Sequence, residues 1–182
     1  MRLLPIFGLI LGGALAGAAP LAEPTQLATI SNPRLTEISG LAASTRYPGL
    51  IYAHNDSGDT ARVFLLNFKG ETVATVNLRG AYARDYEDIA VAGTGANASV
   101  YVGDIGDNLG LRDAVQVYRF VEPALDPQKL GQILEVKPEV IALQYPGAPR
   151  DAETLLAAPG GKLWILSKED GGSTLFAAPR VF

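Results

Sequence analysis

The chain of 182 residues contains no cysteine. That absence excludes a disulfide framework and a lipid anchor on an N-terminal cysteine. Histidine is nearly as scarce: His54 is the only one, and one histidine without cysteine cannot build a zinc site. Basic residues are few and scattered. Fifteen Lys and Arg stand against 19 Asp and Glu, with no basic cluster and no interleaving with aromatics, so no nucleic-acid partner is expected. Fingerprints of nucleotide cofactors are missing as well. No P-loop or dinucleotide motif occurs, and Gly93-Thr94-Gly95 reads as a hairpin turn that no helix follows. Neither Ser57 nor Ser39 stands in a G-x-S-x-G elbow, so a serine-hydrolase triad has no support.

Long apolar runs are also absent but for one. Met1-Arg2 gives a positive start, Leu3 to Leu15 is apolar, and small residues follow at Ala16, Gly17, Ala18 and Ala19. The run falls short of the roughly 20 residues a membrane span needs. Residues 1–22 therefore read as a signal peptide, cut after an Ala-x-Ala site at Ala14-Leu15-Ala16 or Ala16-Gly17-Ala18. The mature chain, 23–182, is expected to be secreted or periplasmic in a bacterium, with no stable membrane span left. Only Arg2 of the basic residues is lost with the leader, so the mature chain keeps a modest acidic excess. Such an excess suits a soluble surface and is compatible with cation binding.

Helical periodicity is the last absence. Apolar residues come in short runs or alternate at period two, and Gly or Pro interrupts them every 8 to 12 residues. Residues 125–134 have room for one or two helical turns and no more. What is there is a repeat. Leu50-Ile51-Tyr52-Ala53-His54-Asn55-Asp56, Val100-Tyr101-Val102-Gly103-Asp104-Ile105-Gly106-Asp107-Asn108 and Leu163-Trp164-Ile165-Leu166-Ser167-Lys168-Glu169-Asp170 are each an apolar–aromatic–apolar strand running into an acidic loop. Upstream of them lie Ser39-Gly40-Leu41-Ala42, Glu87-Asp88-Ile89-Ala90 and Glu153-Thr154-Leu155-Leu156; downstream lie further strands at Val63, Val115 and Thr174. Fourth strands are expected at Thr72 to Leu78, after a Lys69-Gly70 turn, and at Val140 to Leu143.

Four-stranded units at this spacing predict an all-β fold, a β-propeller of antiparallel blades; a β-sandwich is the competing architecture. Three blades are expected, at about residues 35–80, 84–145 and 150–182, the third lacking a fourth strand. Rings close with about four to eight blades, so the chain reads as half of a six-bladed ring. Either the propeller is incomplete at the C-terminus or two half-rings assemble. Gln26 to Ile30 reads as an outer strand available for closure.

In a propeller the first strands of the blades converge on one axis, which selects the candidate site. Glu37, then Glu87 with Asp88, then Glu153 with Asp151 stand at the starts of those strands. His54, Asn55, Asp56 and Asp59, then Asp104, Asp107 and Asn108, then Lys168, Glu169 and Asp170 stand at the ends of the second. Oxygen-rich positions of this kind suit a hard cation such as Ca²⁺, which takes six to eight oxygen ligands. The expected metal ligands are Glu87, Asp104, Glu153, Asp107, Asn108 and Asp56, with His54, Asn55, Asp88, Arg84, Arg150 and Lys168 as ligand-binding neighbours. Asp-Gly and Asn-Asp pairs are equally at home in turns. Tyr52, Tyr101 and Trp164 share one repeat position and read as packing between units.

With Glu37-Ile38-Ser39-Gly40-Leu41, Tyr52 to Gly58, Glu87-Asp88-Ile89-Ala90, Tyr101 to Asn108 and Asp151-Ala152-Glu153 assembled, the chain resembles exported bacterial β-propellers of the SdiA-regulated and phytase-like (esterase-like) families. The resemblance implies a six-bladed ring with an acidic, calcium-dependent face. Two activities stay open: a module binding an unidentified small molecule or an envelope protein, or a calcium-dependent hydrolase of phosphoesters or related esters. Against a phytase, a basic phosphate-binding set is thin; only Lys168, Arg84, Arg112 and Arg150 stand near.

Overall fold

The structure is a computed structural model that describes residues 23–179, so the segment 1–22, read from the sequence as a signal peptide, lies outside the described residues. It is all-β. Twelve strands run in chain order: β1 (Ile38–Ala43), β2 (Leu50–Asn55), β3 (Arg62–Asn67), β4 (Thr72–Leu78), β5 (Tyr86–Ala92), β6 (Ser99–Asp104), β7 (Val115–Val121), β8 (Gln132–Val136), β9 (Glu139–Leu143), β10 (Ala152–Ala158), β11 (Lys162–Ser167) and β12 (Leu175–Ala177). The helical content of the described residues is a single 3₁₀ turn, Gly95–Asn97, inside the loop where Gly93-Thr94-Gly95 lies. Turn chemistry fixes the hairpins. Between β3 and β4 the Asn67 side chain accepts from the amides of Lys69 at 2.9 Å and Glu71 at 3.0 Å. Gly70 there takes φ of 79°, a left-handed conformation that a side chain would strain.

The strands form three sheets. The first has the order β1-β2-β3-β4-β8, the second β5-β6-β7-β9 and the third β10-β11-β12. Neighbours are antiparallel except β8, which runs parallel to β4 with Ala74 opposite Gln132 and Leu78 opposite Val136. Here the structure departs from the sequence reading. Residues 125–134 hold no helical turn; the segment crosses back from the second sheet and β8 adds an outer strand to the first. Leu134 and Val136, alternate residues of β8, pack on the core, while Ile133 faces outward. The open edge of β4 supplies the unpaired backbone groups that this period-two segment completes. Gln26 to Ile30 is likewise in no strand. It lies against the Gly70 turn, where an added Cβ would meet the Thr29 carbonyl at 2.6 Å.

Two apolar layers join the sheets. The first lies between sheets one and two: Tyr52, Val63, Leu65 and Val76 pack against Ile89, Val100, Val102, Tyr118 and Phe120. The second lies between sheets two and three, where Tyr101, Val117 and Ile141 meet Leu155, Leu163 and Ile165. Tyr52 and Tyr101 are buried in these layers, and Trp164 at the matching register of the third sheet is half-buried. The inner strands lie side by side, β1 against β5 and β5 against β10. Far from their first residues, the buried Glu122 after β7 accepts from the Ser44 hydroxyl at 2.5 Å and from the Thr45 and Arg46 amides at 3.1 and 3.2 Å. That carboxylate fastens the β1–β2 loop to the second sheet.

Candidate functional site

One local irregularity builds the site. In the β1–β2 pair the register shifts between Ile38, opposite Asn55, and Gly40, opposite His54. The β5–β6 pair shifts in the same place, between Tyr86 and Asp88, and the β10–β11 pair between Ala152 and Thr154. The extra residues are Ser39, Glu87 and Glu153. A bulge inserts one unpaired residue and re-aims its side chain, so two of the three inner strands turn a glutamate away from the regular ladder. The residue one place before each strand, Glu37, Asp85 and Asp151, is also matched: its carbonyl accepts the amide of Asp56, Gly106 and Lys168, respectively, the donor in the second sheet standing one residue further along its loop than in the other two.

These positions gather five carboxylates. Oxygens of Asp56, Asp85 and Glu87 lie within 4.8 Å of one another, and so do oxygens of Glu87, Asp151 and Glu153. Glu87 belongs to both groups and is the buried member. The first group joins the loop after β2 to the start of β5, and the second joins the starts of β5 and β10. Gly106 closes on the first group so tightly that a Cβ there would run into the Asp85 and Glu87 carboxylates. Acidic groups so placed can hold a hard cation through carboxylate oxygens.

Their electrostatics are those of crowded acids. Burial, a hydrogen bond from the carboxyl to Glu153 and the charges of Glu153, Asp56 and Asp85 push Glu87 up to about 8. Burial and the neighbouring Asp56 and Asp151 charges also raise Asp85. Glu153 moves the other way, because the Lys168 ammonium bonds it directly. Lys168 also lies 3.5 Å from Asp151 and is raised by Glu153 in turn.

The remaining residues singled out in the sequence lie around these groups in supporting positions. Asp104 is buried and paired with Arg112 at 2.8 Å, and it accepts the Asp85 amide at 3.0 Å. Arg112 also donates to the Gly106 carbonyl at 2.8 Å. The Asp107 carboxylate accepts the Leu111 and Arg112 amides, and the Asp107 amide donates to Asp151 at 2.8 Å. Asn108 and Arg84 are exposed on the rim of that loop. Asp88 ties the second sheet to the third by accepting the Leu155 amide at 2.7 Å; burial raises its carboxyl. Asn55 is fully used in the loop before β1, accepting from the Thr36 and Glu37 amides and donating to the Arg34 carbonyl and Asp59. Arg150 pairs with Glu169 and lies over the Phe176 ring.

His54 is fully buried, its Nδ1 2.8 Å from the Asn55 carbonyl and its ring edge-on to Tyr86 at 5.8 Å. Its Nε2 faces Gly40 so closely that no Cβ fits between them. Burial lowers its basicity, which suits an interior packing role.

Two residues of the constellation were not among the expected ligands, Asp85 and Asp151. The signal was the Asp-x-Glu pattern, present twice as Asp85-Tyr86-Glu87 and Asp151-Ala152-Glu153. Glu37 is the register partner of Asp85 and Asp151, not of Glu87 and Glu153; the counterpart of those glutamates in the first sheet is Ser39. The chain matches no family model, no curated protein and no solved structure. The geometry alone carries the functional reading.

Proposed function

We propose that the three sheets are consecutive blades of an exported bacterial β-propeller, and that the protein is a binding module whose acidic face is organised by a divalent cation, Ca²⁺. The observation that carries this reading is the sharing of Glu87 between two carboxylate groups that three separate sheets bring together. The same bulge in three successive inner strands, and the lateral packing of those strands, support the blade reading. Oxygen-only ligands favour a hard cation over zinc or copper. Binding is favoured over histidine-assisted catalysis because the sole histidine is fully buried, with Nε2 against Gly40 and its ring edge-on to Tyr86.

The test is thermal unfolding with calcium and with chelator, together with elemental analysis of the purified protein. A cation bound to the folded state at about 100 times its Kd stabilises it by about 2.7 kcal/mol, which raises Tm by several degrees in a chain of this size. Glu87→Gln and Glu153→Gln each remove most of that rise. Absence of bound metal and of any calcium-dependent shift defeats the proposal. Calcium-dependent cleavage of phosphoesters, lost in Glu87→Gln while calcium still binds, would replace the binding module by the hydrolase.

A further inference from the structure

The two internal sheet junctions are built alike. Tyr52 of the first sheet, opposite Ala42, is covered by the second sheet; Tyr101, opposite Ala90, is covered by the third. The counterpart in the third sheet is Trp164, opposite Leu156. Among the described residues, the face it shares with Leu166 and Leu175 carries no covering layer: Leu156 is 52% exposed, Leu166 36% and Leu175 58%. An uncovered row of this kind on a sheet face marks an interaction surface.

The opposite end of the molecule offers the complement. The residues that receive the preceding sheet are Ile89 and Val100 in the second sheet and Leu155 and Leu163 in the third, all buried. Their register counterparts in the first sheet are Leu41 and Ile51. Leu41 is 60% exposed and Ile51 half-buried, while Leu35 covers only the deeper part of that flank, over Ala53, Phe64 and Leu66. One flank thus has the form of the donor half of the internal junction, and the other has the form of its acceptor half.

We infer that a second copy of this chain covers both flanks, head to tail, with Leu156 and Trp164 of each copy packed on Leu41 and Ile51 of the other. The junction continues the interface already formed twice inside the chain, and repetition of a heterologous contact closes into a ring when the rotation allows. Two copies give six sheets, within the about four to eight that such rings hold; three copies would exceed it. The new junction also brings Glu37 of the second copy toward Glu153 and Lys168, extending the acidic arc past the third sheet. The inference rests on the blade reading and is independent of the cation, so dimer formation and calcium binding fail separately.

Sedimentation equilibrium of the purified chain tests it, with Leu41→Asp and Leu156→Asp as variants. Both side chains are more than half exposed, so the folded state tolerates the changes, which an unaltered far-ultraviolet circular dichroism spectrum verifies. The wild-type chain is expected at twice the monomer mass and each variant at monomer mass. An equimolar mixture of the two variants should regain dimer, because Leu41→Asp keeps the third-sheet flank and Leu156→Asp keeps the first-sheet flank. A wild-type monomer at every concentration would overturn the inference and assign the face to a different partner, such as further sheets on a longer polypeptide. A dimer that Leu41→Asp leaves intact would overturn it in favour of two third sheets pairing face to face, and growth beyond dimer would overturn ring closure.

Discussion

Single residues carry the sharpest electrostatics of this protein. Glu87 ordinarily titrates near 4.5, and in the folded chain it is pushed up to about 8 by burial and by Glu153, Asp56 and Asp85. The folded state therefore prefers its protonated form. The stability linked to that proton is fully present below the unfolded pKa and is lost as pH rises through the folded one. Without divalent cation, Tm is expected to fall between about pH 5 and about pH 9, and Glu87→Gln to flatten that fall; a melt series in chelator reads it. Elsewhere in the molecule, Glu122 is buried with hydrogen bonds from Ser44, Thr45 and Arg46. Glu122→Ala leaves those donors without their acceptor and should cost about 2–4 kcal/mol in urea unfolding. At Gly106, alanine would push a methyl group into the Asp85 and Glu87 carboxylates. Gly106→Ala is expected to weaken calcium binding by about ten- to a hundredfold, measured by titration calorimetry. The Asp-x-Glu pairs were visible in the sequence as residues, but not as neighbours: burial and proximity gave Glu87 its role, and neither is written in local spacing.

At the level of elements, the strands were legible and some partnerships were not. Short apolar runs rich in Val, Ile, Leu and Tyr mark β2, β3, β6 and β7, whose residues are buried largely on both faces between packed sheets. β8 was missed because its short run, Gln132 to Val136, follows a Pro-bearing stretch and gains its place only by pairing with the distant β4. The bulges at Ser39, Glu87 and Glu153 were equally hidden, since a register shift belongs to a pair of strands and no single strand encodes it. Among the described residues the third sheet has least support, three-stranded and uncovered on its Trp164 face. Its tie to the second sheet includes the Asp88 carboxylate on the Leu155 amide. Asp88→Ala should cost about 1–3 kcal/mol. Hydrogen exchange at Leu155 and along β10 and β11 should accelerate, while β6 and β7 stay protected.

For the whole molecule, the two apolar layers order three sheets so that β1, β5 and β10 stand together, and this brings Asp56, Asp85 and Glu87 into one group and Glu87, Asp151 and Glu153 into another. The sequence by itself determined the all-β class, the positions of the strands other than β8 and the turns, because apolar runs, β-branched residues and glycines at positive φ act over a few neighbours. It also determined which residue types lie at the acidic loops. Which acids meet was decided only by tertiary structure. Asp104 and Asp107 look as ligand-like in the sequence as Asp56 does, yet Arg112 and the backbone of their own loop claim them. Asp85, unremarked among its neighbours, faces Glu87 instead. The physical reason is range: propensity is settled between adjacent residues, whereas a charge is defined by whatever the packing of separate sheets places beside it.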